Sequence, residues 1–269
     1  MNAFSYHFGF EFKTGLRNSN LLLLNYLFPL AFYLFMGAVM TRINPGFGDS
    51  MVPAMSIFAI LTATILGLPS PLVEDREAGV FRSFKINAVP AVSILLIPAL
   101  TTIFHGLIAA TLIALTAPLL FGGVAPASWP ALFGVLLVTA FACGGIGCLI
   151  GVVSTNSRAT ILWSQLIFLP SMLLGGLMVP VSVLPAGVRW ISALLPSTQA
   201  MQAIAGLAYR QPTVIPPGAA LAALAGGALL SFGLATYLFN WDSRNASRRG
   251  HPALALLAWI PYALTLLLI

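Results

Sequence analysis

Six of the chain's eighteen charged side chains fall in twelve consecutive positions, 74–85. Glu74, Asp75 and Glu77 supply the carboxylates, Arg76 sits among them, and Arg82 and Lys85 follow. Carboxylates this close could act as acid and base if a fold held them in a dry cleft. Here they occupy a linker between two apolar runs, not facing positions of a helical bundle, so hydrolysis is not expected. His7, His105 and His251 are too widely spaced for an evident metal site, and HExxH is absent. Cys143 and Cys148 lie five apart in one apolar run, do not face each other well on a helix, and read as small packing residues. GxxxxGK[ST] is missing, so the chain is not expected to hydrolyse nucleotide by itself, and no catalytic, cofactor-binding or metal residue is assigned.

The charged stretch reads better as a surface. In EDREAGVFRSFKINAVP the acids precede the bases, an order that suits the dipole of one short helix. Val80, Phe81 and Phe84 can share an apolar side of that helix, and Gly79 would permit a bend or a close approach. An ordinary topology loop needs only the basic residues. The added acids point to a matched partner surface, with Phe81 and Phe84 as its apolar anchor and the charges setting register. Truncating Phe81 is then expected to leave insertion and folding intact.

The elements that must carry this stretch follow from composition. Hydrophobic residues make up 59% of the chain and charged ones 7%, with mean hydropathy +0.98. A soluble domain carries about 25% charged residues, so too few charges are present to clothe a soluble surface. A transmembrane β-barrel shows short alternating segments, whereas these apolar runs are long and unbroken. Helices are the other way to satisfy a backbone in hydrocarbon. The expected fold class is therefore all-α, a polytopic membrane protein.

Six runs reach the length of about 20 residues that a bilayer asks for: 21–41, 53–73, 91–121, 130–153, 160–180 and 218–239. A seventh, 253–269, is marginal and ends in a Pro-containing apolar stretch. It could span, tilt, or lie at the interface, with a mild preference for spanning. The expected division is a transmembrane domain over 1–245 and a tail over 246–269. The preceding 4–18 segment repeats Phe4, Phe8, Phe12 and Leu16 every four residues, which suits an interfacial helix. Phe4 to Phe12 also alternate with period two, as a strand would, but a lone strand at a bilayer has no partner for its edge. No signal-peptide pattern is present.

Charge sets the orientation. With the N-terminus cytoplasmic, the inner segments hold Lys13, Arg17, Arg76, Arg82, Lys85, Arg158, Arg244, Arg248 and Arg249. The outer ones hold only Arg42, Arg189 and Arg210. The opposite orientation would break the positive-inside rule. These cations are scattered over short loops, with no basic stripe for nucleic acid. The expected location is the plasma (inner) membrane.

The outer linker 181–217 is mostly apolar and punctuated by prolines. Short helices sunk in the outer leaflet, or a re-entrant hairpin, fit it better than a solvated loop, and it is a candidate lining of an exit path. Trp190, Ile191, Leu194 and Leu195 are expected to face lipid or a dimer seam, and Arg189 to reach the headgroups. Inside the spans, Gly147 and Gly151 form a GxxxG that permits close helix approach. Pro98, Pro118 and Pro170 can kink their helices. The confidently assigned spans carry no Asp, Glu, Lys or Arg, where an ion-coupled carrier often places a mid-membrane charge. His105 reads as a core or cavity-facing polar group. Any driving energy would come from another subunit.

With these features the chain resembles the membrane-spanning subunits of ABC-2 type exporters, the class that includes drug and antibiotic efflux permeases. The likeness lies in the amphipathic segment before the first span, and in Glu74, Arg76, Glu77, Gly79, Phe81, Arg82 and Pro90. It continues in the stretch 175–204 with Pro180, Leu184, Pro185, Ile191, Leu195 and Pro196, and covers about residues 1–245. The resemblance implies six spans with both ends cytoplasmic, and two membrane subunits, here a homodimer, working with two separate ATP-binding subunits that hold ATP and Mg. It implies that Glu74, Asp75, Arg76, Glu77, Gly79, Phe81, Arg82, Phe84 and Lys85 form a coupling helix on the ATPase. It implies that Pro180, Pro185, Trp190, Ile191, Leu194, Leu195 and Pro196 belong to the outer gate. The cargo would be hydrophobic or amphipathic, a drug, antibiotic or lipid-like molecule, moved outward. A non-transporting assembly or immunity factor is the leading alternative, and a secondary carrier or channel the next. The apolar run 253–269 departs from the family's six spans.

Overall fold

The computed structural model describes residues 3–44, 46–241 and 250–268, and among these there is no strand. Arg244, Arg248 and Arg249 lie outside the described residues. The chain begins with α1 (Ala3–Arg17), so the period-two alternative gives way to a helix that closes its own backbone bonds. Phe8 and Phe12 stack at 6.4 Å along one side of it. Asn18 breaks α1 and caps α2 (Ser19–Ile43), its Oδ1 accepting from the backbone N–H groups of Asn20 and Leu21 at 3.0 and 3.3 Å.

The centre of the bundle is α3 (Phe47–Glu77), which is almost wholly buried. A π-helical turn over Thr62–Gly67 interrupts it, with the Thr64 hydroxyl bonded back to Ile60 O at 2.6 Å. After α4 (Val80–Ile86), α5 (Ala91–Phe121) crosses back and stops at Gly122 in the left-handed conformation, φ 66°. Next, α6 (Trp129–Val153) returns against α3, α5 and the later helix Pro217–Leu238. A Cβ at Gly147 would stand 2.2 Å from Thr64 O, so the GxxxG marks the seam between α6 and α3.

The remaining helices are α7 (Ser157–Leu174), α8 (Ala186–Ala193), α9 (Pro196–Leu207), α10 (Pro217–Leu238) and α11 (Pro252–Leu268). Among the described residues five helices, α2, α3, α5, α6 and α10, are long and apolar enough to cross a membrane. The run expected as the fifth span is α7, shorter at 18 residues and carrying Arg158, Ser164 and Gln165. The apolar segment α11 is mostly 3₁₀, with one α-helical turn at Ile260–Leu264. Two buried clusters result. The larger surrounds α3; the smaller, at the α4 end, gathers Leu68, Phe81, Leu95 and Phe239.

Candidate functional site

The charged stretch is an elbow, not a single short helix. Glu74, Asp75, Arg76 and Glu77 continue α3 to its end, Gly79 breaks the chain at φ 80°, and only Arg82 and Lys85 ride on α4. The acids therefore sit at the C-terminal end of a helix, where its dipole disfavours them. A left-handed glycine decided the break, and the order of charges along the sequence could not reveal it.

Arg76 does not join the exposed surface. It is 6% exposed, and Nη1 donates to Gly151 O and Val152 O at 3.3 and 3.0 Å, while Nη2 donates to Ser154 O. These carbonyls belong to the last turn of α6 and the residue capping it, groups that no helical N–H reaches. One guanidinium thus ties the end of α3 to the end of α6. Glu77, exposed, accepts from Ser157 Oγ at 3.4 Å in the first turn of α7.

Phe81 corrects the expected anchor. It is 3% exposed and packs 5.5 Å from the Phe239 ring, inside the chain. Phe84 is half-buried, its ring 6.1 Å from His7 of α1. The apolar side of α4 faces inward because the small cluster has room for it. What α4 exposes is Arg82, Ser83, Lys85 and Ile86, with Glu74, Asp75 and Glu77 alongside. Ile86 is 84% exposed and was missed in the sequence. Its signal was an aliphatic residue between Lys85 and Asn87, off the apolar side.

Helix α1 leans on this elbow and on the bundle. His105 Nε2 reaches Phe12 O at 3.2 Å, and its ring stacks on Phe12 at 4.3 Å. A carbonyl can only accept, so Nε2 carries the proton and Nδ1 accepts from the Tyr26 hydroxyl at 2.7 Å. Both nitrogens are used, which fits the reading of His105 as a core polar group. At the elbow, burial pushes the Glu11 carboxyl above its ordinary range, His7 3.5 Å away pulls it down, and the Asp75 carboxylate pushes it up again.

The linker of α8 and α9 stands at the opposite end. Pro180 opens a 3₁₀ turn, Pro185 precedes α8, and Pro196 begins α9. Trp190 and Ile191 are 52% and 58% exposed, Leu194 is half-buried, and Leu195 and Pro196 are buried. The expected outward set therefore divides between two sides of one hairpin. Arg189 also departs from expectation: half-buried, it donates from Nη2 to Leu184 O at 3.1 Å and pins the turn before α8. Helix α9 rises through the bundle, tied to α7 by Ser197 Oγ donating to Ser171 O at 3.1 Å. Its far end reaches the start of α6, where Ser128 N donates to Ala208 O at 3.1 Å. The linker thus forms two short helices, α8 and α9, packed on the rest of the bundle.

Among the described residues no three His, Cys, Asp or Glu side chains gather to hold a metal, and Cys143 and Cys148 are free and buried. An apolar helical bundle, with a charged elbow at one end and a hairpin of two short helices at the other, is the architecture of a multi-pass membrane protein. The chain belongs to the ABC-2 type transporter family, whose profile matches residues 3–209, from α1 through α9. It is thus a membrane-spanning permease subunit of an ABC transporter, and permeases of this family generally work with an ATP-binding subunit. No curated protein and no solved structure matches the chain.

Proposed function

We propose that the chain is the membrane subunit of an ATP-driven exporter. It carries a hydrophobic or amphipathic molecule outward between two copies of itself and is energised by two separate ATP-binding subunits that hold ATP and Mg. The N-terminus is cytoplasmic, and six spans, α7 among them, form the core. The observation that carries this reading is the elbow: a long buried helix ends in a short exposed one that presents Arg82, Lys85 and Ile86. A groove of the ATPase would take Ile86 as its apolar plug, while the charges exclude misdocking. The face of α7 bearing Ile161, Leu162, Leu166 and Leu169 is exposed and apolar, which suits the seam with a second copy.

The test is co-purification with the ATP-binding subunit, alongside cargo-stimulated ATP turnover. Ile86→Asp should insert normally yet lose ATPase binding by about 2 kcal/mol or more, and Lys85→Glu should weaken it too. If both variants bind and couple like the parent, α4 is a topology loop and the exporter reading fails at its carrying observation. A protein that binds the ATPase but never alters its turnover would favour the assembly-factor alternative.

A further inference from the structure

The segment α11 lies beyond the part of the chain matched by the family profile, and its packing gives it a direction. Gly250, just before it, lies against Leu238 and Leu254. Farther along, Pro261 sits on Gly226 and Tyr262 on Gly227. A Cβ added at Gly227 would stand 2.2 Å from Tyr262 Oη, so bare backbone is what admits the ring. Residue numbers fall along α10 as they rise along α11, so the two run antiparallel. From Leu238 to Gly227 helix α10 rises roughly 17 Å, and Thr265–Leu268 carries on to meet α8.

The two ends of α11 touch the two ends of the bundle. Ala258 belongs to the cluster of Phe81, Leu95 and Phe239, and Leu254 packs against it. Thr265 meets α9: fully buried Gln199 donates from Nε2 to Thr265 Oγ1 at 2.8 Å and to Ala193 O at 2.6 Å. The Thr265 hydroxyl in turn donates a hydrogen bond to Tyr262 O at 2.7 Å. A buried amide in an apolar bundle needs such partners, since hydrocarbon offers none. On its other side α11 exposes Leu256, Leu257, Ile260, Leu264 and Leu267, and no charge interrupts 252–268.

We propose that α11 is a further membrane crossing, latched at its far end onto α9 through the hydrogen bond between Gln199 and Thr265. This rests on the membrane architecture and not on the exporter reading, and it holds whichever face is cytoplasmic. Native Cys143 and Cys148 are buried and stay silent to impermeant reagents. A cysteine tag appended after Ile269 should be labelled by an impermeant maleimide from the face opposite to that which labels Lys85→Cys. Labelling from the same face overturns the crossing. The latch is tested by hydrogen exchange of α9 amides in two mild variants. Thr265→Ser should keep their protection and Thr265→Val should lose it, and equal protection in both overturns the latch. Loss of ATPase coupling leaves all these readouts unmoved, so this inference and the exporter reading fail separately.

Discussion

The Phe81 ring lies 5.5 Å from the Phe239 ring, so the short helix α4 is held by its apolar side to the end of α10. The aromatic residue that looks like a docking anchor is a packing residue of the elbow. Phe81→Ala should therefore destabilise the whole chain by about 3–5 kcal/mol, not leave it folded with a weakened partner. Thermal unfolding in detergent reads the difference. A Phe81→Ala protein as stable as the parent, yet unable to bind the ATPase, would restore the anchor reading.

Arg76 closes the end of α6 with a guanidinium that lysine cannot imitate. Its two donor nitrogens reach three carbonyls, on Gly151, Val152 and Ser154. Arg76→Lys keeps the charge but loses the fork, and Arg76→Ala loses both. A hydrogen bond from a charged group contributes about 1.5–3 kcal/mol. Arg76→Ala should thus melt well below the parent and Arg76→Lys in between. Equal melting of the parent and Arg76→Ala would show that the cap adds nothing.

Glu11 makes the seating of α1 dependent on pH. Burial raises its carboxyl pKa in the fold, so the charged form is disfavoured there and the neutral form favoured. Its contribution to stability is fully present below the ordinary carboxylate range and is lost as pH rises through the raised value. Protease protection of α1 should then increase as pH falls from neutral. Glu11→Gln should flatten that profile, and an unchanged slope in Glu11→Gln would assign the dependence to other groups.

The hairpin of α8 and α9 should show two populations under impermeant thiol labelling. Leu195→Cys should be silent, because the side chain is packed inside the bundle. Trp190→Cys and Ile191→Cys, exposed and apolar on the other side, should also react slowly in membranes if lipid or a second copy covers them. Extraction into mild detergent should speed those two and not Leu195→Cys. Rapid labelling of Trp190→Cys in intact membranes would place α8 in water.

Much of the membrane architecture was legible from periodicity and composition. Long uncharged runs leave a backbone no choice but helix in hydrocarbon, and the glycines of α6 announced a close crossing. The elbow was legible as a place, since charge is scarce everywhere else. Its internal order was not. The acids and Phe81 form one continuous string in the sequence, but Gly79 divides it between two helices, and Phe239, more than a hundred residues away, draws Phe81 inward.

The sequence by itself determined the helices, the solvent they need and the two linkers that stand apart from them, one rich in charge and one in proline. These follow from local rules: burial of apolar side chains, closure of backbone bonds, and the placing of prolines and glycines. Only the tertiary structure decided which side chains of those linkers are presented and which are consumed in holding the bundle together. Arg76 became a cap, Phe81 a core residue, Ile86 the exposed tip, and Gln199 the partner of Thr265. Such outcomes depend on carbonyls and apolar surfaces that arrive from distant parts of the chain, and no window of neighbouring residues contains them.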